Sequence, residues 1–232
     1  MTILVMSLKI KGWRKIVKWV AWSLLAVLLI VFIVRVLVFE NNYYGEKEGS
    51  ERSGAVIQED TDLDETEPTK DEIAEYKVAP DRPRYLTVEK LGVKNSRILP
   101  MNVNASGELD TPRNIFDVGW YVASGKPGQG GTLVIDGHNG GPHVHGVFKN
   151  LPDLVVGDII RVERGDGAVF NYKVVENKTV PLADSDAYMS AASRSPEPGK
   201  ESVTLISCTG EWSQAQGTYL SRQFTRAVLV ED

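Results

Sequence analysis

Sulfur and imidazole are scarce in this chain, which has one cysteine, Cys208, and three histidines, His138, His143 and His145, all within eight residues. A single cysteine excludes a disulfide within the chain and leaves the paired-cysteine spacings of structural zinc sites unfilled. Acidic side chains are absent from the first 39 residues, which carry six basic ones: Lys9, Lys11, Arg14, Lys15, Lys18 and Arg35. A basic surplus is in turn absent from the rest, with 13 acidic against 4 basic residues over 40–80 and 18 against 16 from Asp81 onward. Nucleic-acid binding calls for a basic face, and neither stretch provides one. Long alternations of helix and strand pattern are missing too, which excludes parallel βαβ units.

What the chain does have begins with an apolar run. Trp19 to Val34 is uncharged for 16 residues, Arg35 interrupts, and Val36-Leu37-Val38-Phe39 continues the run. A helix over this stretch rises about 31 Å, the thickness of a hydrocarbon core. Trp13, Trp19 and Trp22 cluster at one end as interfacial aromatics do. Arg35 lies near the other end, where its stem can reach the headgroups. The pattern predicts a transmembrane anchor over 16–39 behind a basic cytoplasmic tail, 1–15, in a single-pass protein of the cell membrane whose remaining residues are extracytoplasmic. A cleaved signal peptide is the rival reading, but Val38-Phe39-Glu40-Asn41-Asn42 offers no small-residue cleavage site.

Residues 40–80 hold acidic runs such as Glu59-Asp60-Thr61-Asp62-Leu63-Asp64-Glu65 and few apolar residues, so they predict a self-repelling, disordered tether. A short helix over 69–76 packed on the following domain is the alternative. From Asp81 the texture changes to short β-like runs punctuated by Gly and Pro. Strands are predicted at 84–88, 95–99, 131–135, 159–164, 170–175, 179–182, 203–207 and 224–230. Gly165-Asp166-Gly167 marks a hairpin between two of them. About eight short strands over 81–232 predict a mainly β domain, a closed barrel with one or two short helices near 147–151 and 185–192.

His138 follows the run Thr132-Leu133-Val134-Ile135 through Asp136-Gly137, and Cys208 follows Val203-Thr204-Leu205-Ile206-Ser207. Each is expected at a strand end, where a rigid scaffold presents side chains to a cleft. Thiolate rather than thiol is the nucleophile, so a catalytic cysteine needs an imidazole or a cation beside it. A tethered β-domain that binds a surface ligand, with Cys208 buried and inert, is the competing reading. A third is a metal-binding cupin-like domain, because Pro142-His143-Val144-His145-Gly146 resembles the first half of a cupin motif. Lys149 and Asn150 stand where that motif has its glutamate, so no metal ligand set is expected.

Several segments together carry a family resemblance. Thr204-Leu205-Ile206-Ser207-Cys208 resembles the sortase pattern T-L-x-T-C, with Ser for the usual Thr. Leu133-Val134-Ile135-Asp136-Gly137-His138 is similar to the strand that delivers the sortase histidine. Gly146-Val147-Phe148-Lys149-Asn150-Leu151 and Leu154-Val155-Val156-Gly157-Asp158 resemble the family's F-x-x-L-x-x-L-x-x-G-D stretch. Asp117-Val118-Gly119-Trp120-Tyr121 resembles its G-W-Y segment, and Arg222-Gln223-Phe224-Thr225-Arg226-Ala227 the strand that carries its arginine. The resemblance spans 84–230 and points to sortases of the actinobacterial, class E/F-like type.

The resemblance implies a sortase-type β-barrel and a cysteine transpeptidase. Its partners would be surface proteins bearing an L-P-x-T-G-like sorting signal and an amine acceptor of the cell wall or a pilin. It implies Cys208 as nucleophile, His138 as general acid and base, and Arg222 as oxyanion stabiliser, with Thr204, Ile206 and Ser207 as substrate contacts. No cofactor follows, and the glutamates that bind calcium in some sortases have no counterpart in this chain. Asp136 departs from the family pattern by setting a carboxylate close to His138. Arg222 and Arg226 share a face of a regular strand about 13 Å apart. The resemblance selects Arg222 and leaves Arg226 as an expected solvated charge.

Overall fold

The computed structural model describes residues 63–104 and 109–230. The predicted basic tail, the membrane anchor and residues 40–62 of the tether lie outside them. Among the described residues no helix is long and apolar enough to cross a membrane.

Eight strands close into a barrel in the order β1-β2-β3-β4-β7-β8-β6-β5. They are β1 (Pro83–Val88), β2 (Val93–Met101), β3 (Val118–Tyr121), β4 (Thr132–Gly137), β5 (Ile159–Arg164), β6 (Val169–Pro181), β7 (Ser202–Ser213) and β8 (Thr218–Leu229). The pairs β2–β3 and β4–β7 are parallel, the other six antiparallel, and β5 returns to β1 to complete the ring. Within the ring each strand has a neighbour on both sides, and the β7–β8 hairpin runs on beyond it from Thr209 and Ser221 to Ser213 and Thr218.

Side chains alternate faces along each strand, and this alternation divides the core in two. Leu133 and Ile135 of β4, Val203 and Leu205 of β7, Ala227 of β8, and Tyr172 and Val174 of β6 fill the barrel interior. Their neighbours Val134, Ile206, Phe224 and Val180 point outward and form a second buried cluster with Ala192. A six-residue helix near the start of the described chain is α1 (Lys70–Glu75), and an eleven-residue helix after β6 is α2 (Leu182–Ala192). α2 lays Tyr188 and Met189 over the outward cluster, with the Tyr188 and Phe224 rings 4.9 Å apart. The helix therefore covers the apolar half of an outer face that would otherwise meet water.

Several predicted elements need correction. The two strands predicted at 170–175 and 179–182 are one strand, β6, whose register shifts between Val174 and Glu176. That bulge reverses the alternation, so Tyr172 and Val174 face inward before it and Val180 faces outward after it. The helix predicted at 147–151 is replaced by a 3₁₀ turn, Leu151–Asp153. The strand β3 was not predicted, being four residues long with Gly119 inside it.

The tether is the largest correction, because residues 63–80 fold onto the barrel. Thr69 and Glu72 form a reciprocal capping box that starts α1. Tyr76 Oη donates to the Ile98 carbonyl at 2.6 Å, and Tyr85 Oη donates to the Ile73 carbonyl. Asp64 pairs in parallel with Asn114 through Asp64 N to Arg113 O at 2.8 Å and Ile115 N to Asp64 O at 3.0 Å. The segment is held by backbone pairing and tyrosine hydroxyls rather than by apolar area, so its polar composition did not reveal it. The alternative of a packed short helix holds for 69–76.

Candidate active site

Beyond the patch that α2 covers, the outer face of β4, β7 and β8 continues with polar groups. Cys208 and Arg222 are direct register partners across β7 and β8. On the other side of β7, the parallel ladder pairs Asp136 with Ile206, and the same offset sets His138 level with Cys208 one step past the end of β4. The buried hydroxyl of Ser207 extends that pairing by donating to the Gly137 carbonyl at 2.9 Å. His138 follows the end of β4 as expected, whereas the strand end expected at Cys208 is corrected: β7 continues to Ser213, so Cys208 lies within it, level with His138 on one side and with Arg222 of β8 on the other.

Hydrogen bonds hold the side chains of His138, Arg222 and Asp136. His138 Nε2 lies 2.7 Å from the Pro112 carbonyl. Its own carbonyl accepts from Phe148 N at 2.9 Å, and a Cβ on Gly146 would stand 2.4 Å from that oxygen. Only glycine therefore lets the loop close over His138. Arg222 donates from Nη1 to the Tyr219 and Ser221 carbonyls at 2.9 and 3.1 Å and from Nη2 to Thr218 Oγ1 at 3.2 Å. Asp136 Oδ2 accepts from Thr111 Oγ1 at 2.9 Å. Burial pushes the half-buried Cys208 thiol up, Arg222 draws it down, and Asp136 raises it again. Burial likewise pushes the Asp136 carboxyl up, against the Thr111 hydrogen bond and the charges of His138 and Arg222.

Residues 86–230 match the family model described as the sortase domain. The chain belongs to the sortase family. No curated protein matches it, whereas solved structures do. A Clostridium perfringens sortase D5 transpeptidase is 21% identical, with a TM-score of 0.46 over 71% of this chain and 90% of that one. Sortase C2 of Group B Streptococcus pilus island 1 is 18% identical, with a TM-score of 0.49 over 72% and 83%. Sortase C-1 of Actinomyces oris is 21% identical, with a TM-score of 0.46 over 67% and 76%. The family is one of cysteine transpeptidases, and this sortase is such an enzyme.

Two of the expected substrate contacts in this sortase are not open to a ligand. Thr204 is fully buried and donates to the Ala192 carbonyl at 2.7 Å, under α2. Ser207 is 1% exposed and points to the barrel side of the sheet. Ile206, 7% exposed, packs in the outer apolar cluster beside the cysteine. The expected solvated Arg226 is also corrected: its side chain is 12% exposed and pairs with Glu176 at 2.7 Å. It donates further to the carbonyls of Ala191 and Arg194 at 3.2 and 2.9 Å, clamping the end of α2. The side chains of His143 and His145 are exposed, in a loop whose backbone amides at 143 and 144 donate to Glu65 Oε1 at 2.9 and 3.1 Å. A cavity of about 420 Å³ lined by Ile73, Val93, Arg97 and Asp117 holds none of the three candidate residues.

Sequence reasoning missed the 111–115 segment, which touches both His138 and Asp136, and the Asp64–Glu65 brace behind it. Pro112, whose fixed φ suits an extended run beside a cleft, is the one local signal there.

Proposed function

We propose that this sortase cleaves an L-P-x-T-G-like sorting signal through Cys208, His138 and Arg222. The thiolate of Cys208 attacks the threonine carbonyl carbon, the peptide C–N bond breaks, and protonated His138 gives its proton to the departing amine. A thioacyl-enzyme results. An amine then attacks the same carbon, the C–S bond breaks, and the acyl chain passes to the new nitrogen. Arg222 supplies fixed positive charge for the carbonyl oxygen as it becomes an oxyanion, a contribution of about 3 kcal/mol for one such donor. The substrates in this reading are surface proteins carrying the signal, and the acceptor is an amine of the cell wall or a pilin. The enzyme acts outside a cell membrane, anchored by 16–39, as an E/F-like member of its family.

The observation that carries the reading is the register pairing of Cys208 with Arg222 on one side and its levelling with His138 on the other. The test is mass spectrometry of the full-length protein after incubation with signal peptides. A peptide-derived thioester on Cys208, absent in Cys208→Ala and in a scrambled-peptide control, is the expected result. A peptide cleaved without any adduct on Cys208 refutes it.

A further inference from the structure

Cys208 stands between two opposite charges. β7 has β8 on one side and β4 on the other. β8 brings Arg222 directly opposite the cysteine, and β4 brings Asp136 opposite Ile206, which shares a face with Cys208 two residues before it. His138, two residues beyond Asp136, lies on the same β4 flank. The site is therefore polarised, with cationic Arg222 on the β8 side and a carboxylate with an imidazole on the β4 side.

Both β4-side groups are tied to one strip of chain. Thr111 Oγ1 donates to Asp136 at 2.9 Å, and the next carbonyl, of Pro112, meets His138 Nε2 at 2.7 Å. Asp136 is only partly covered, unlike Val134 before it on the same face, which is 1% exposed. It has the acceptor capacity for a further donor, since a carboxylate offers about four lone-pair sites and the Thr111 hydroxyl and the Gly137 amide take two of them.

Resting on the thioacyl transfer proposed above, we propose that Asp136 forms the acceptor subsite, a carboxylate that draws the primary ammonium of the acceptor to the β4 side of the thioester. Polarity decides the side. The carbonyl oxygen gains negative charge as the nucleophile attacks and belongs beside Arg222, which leaves the β4 flank for the nitrogen. An amine acceptor arrives as an ammonium, and two protons must leave it. One passes to neutral His138, next to Asp136; the other passes to the Cys208 thiolate as the C–S bond breaks and the C–N bond forms. A carboxyl whose charged form is disfavoured by burial gains most from a cation brought beside it. A neutral nucleophile gains nothing from the same group.

That contrast supplies the test. The full-length protein is acylated with a signal peptide and the acyl-enzyme is resolved with triglycine, an ammonium at neutral pH, or hydroxylamine, which is uncharged there. Asp136→Asn is expected to raise the KM for triglycine about tenfold more than the KM for hydroxylamine, the scale of one charge-assisted hydrogen bond. Equal losses with both nucleophiles would mean that Asp136 acts through His138 or the fold, and would overturn the subsite. If Asp136→Asn does not fold, the wild-type protein carries the test by salt. Raising ionic strength from about 50 to about 500 mM shortens the screening length, so the KM for triglycine should rise and that for hydroxylamine should not. Parallel salt responses overturn the subsite as well. Failure to acylate Cys208 with peptide alone overturns the transfer reaction and the subsite together, whereas normal acylation with unchanged nucleophile preference overturns the subsite alone.

Discussion

Cys208 and Arg222 face each other across the β7–β8 ladder as register partners, which sets their Cβ atoms about 5 Å apart. Arg222→Ala is therefore expected to lower transpeptidation at least about a hundredfold, the scale of losing one oxyanion donor. Initial rates with a signal peptide and triglycine check this, with circular dichroism confirming the fold. A folded Arg222→Ala enzyme with near-normal rates would remove the arginine from the reaction.

The same pair governs the thiol. Burial and Asp136 raise the Cys208 thiol, and Arg222 lowers it. Removing the guanidinium leaves less thiolate at any given pH, so Arg222→Ala should shift the inflection of iodoacetamide labelling to higher pH. Asp136→Asn removes an opposing charge and should shift it to lower pH. Rates of labelling from about pH 6 to about pH 10 read both shifts directly. Movement of the two variants in one direction would contradict the charge arrangement around the sulfur.

Among the three histidines, only His138 is level with Cys208. His143 and His145 have exposed side chains, and the structure uses the backbone of their loop instead. His143→Ala and His145→Ala are expected to retain most transpeptidase activity, while His138→Ala loses it. Loss of activity in all three to the same degree, restored by added zinc, would point to a metal centre.

Arg226 belongs to the fold rather than to the chemistry. Arg226→Ala removes a part-buried pair with Glu176 and two contacts to the end of α2. A loss of about 1–3 kcal/mol is expected, seen as a melting temperature lower by about 2–4 °C for each kcal/mol. An unchanged melting curve would show that the clamp contributes nothing.

The folded unit begins upstream of Asp81. From Asp64 onward the described chain is bonded to the barrel, through the Asp64–Asn114 pairing and the Tyr76 and Tyr85 hydroxyls. A 59–232 fragment should therefore fold and label at Cys208, while an 81–232 fragment loses α1, the Tyr76 and Tyr85 hydroxyl contacts and the Asp64–Asn114 pairing. Side-by-side thermal melts are expected to place the shorter fragment lower. Equal stability would return 63–80 to the role of a spacer.

How far the sequence could be read depended on the kind of contact. β5 was predicted to the residue because Gly157-Asp158 and Gly165-Asp166-Gly167 punctuate both of its ends. Cys208 and His138 were legible because each closes an apolar run. β3 was not, since four residues with a glycine give no measurable alternation. The brace was invisible for another reason: Asp64 and Glu65 reach Asn114 and the His143 amide across 50 and 78 residues of sequence, through groups that leave no periodic trace. The substrate roles expected for Thr204 and Ser207 came from a motif, which records identity but not direction. Two-residue alternation from Leu205 already turns Ser207 inward.

The inner wall of the barrel changes character beneath Cys208. Val203 and Leu205 give way to Ser207 along β7, and Ala227 gives way to Thr225 and Gln223 along β8. Asn177 Oδ1 accepts from Gln223 Nε2 and Thr225 Oγ1, both at 2.6 Å, while Thr179 Oγ1 donates to Gln223 Oε1 at 2.6 Å. Apolar walls tolerate sliding and exchange because dispersion has no direction; this wall does not. A two-residue slip of β8 against β6 would keep every side chain on its proper face, yet it would strand the buried polar groups of Gln223 and Thr225. The apolar end of the barrel therefore tolerates exchange among residues of similar volume, whereas at the end that carries Cys208 the side chains of β6 and β8 are coupled through directional bonds, so a change on one strand calls for a matching change on the other.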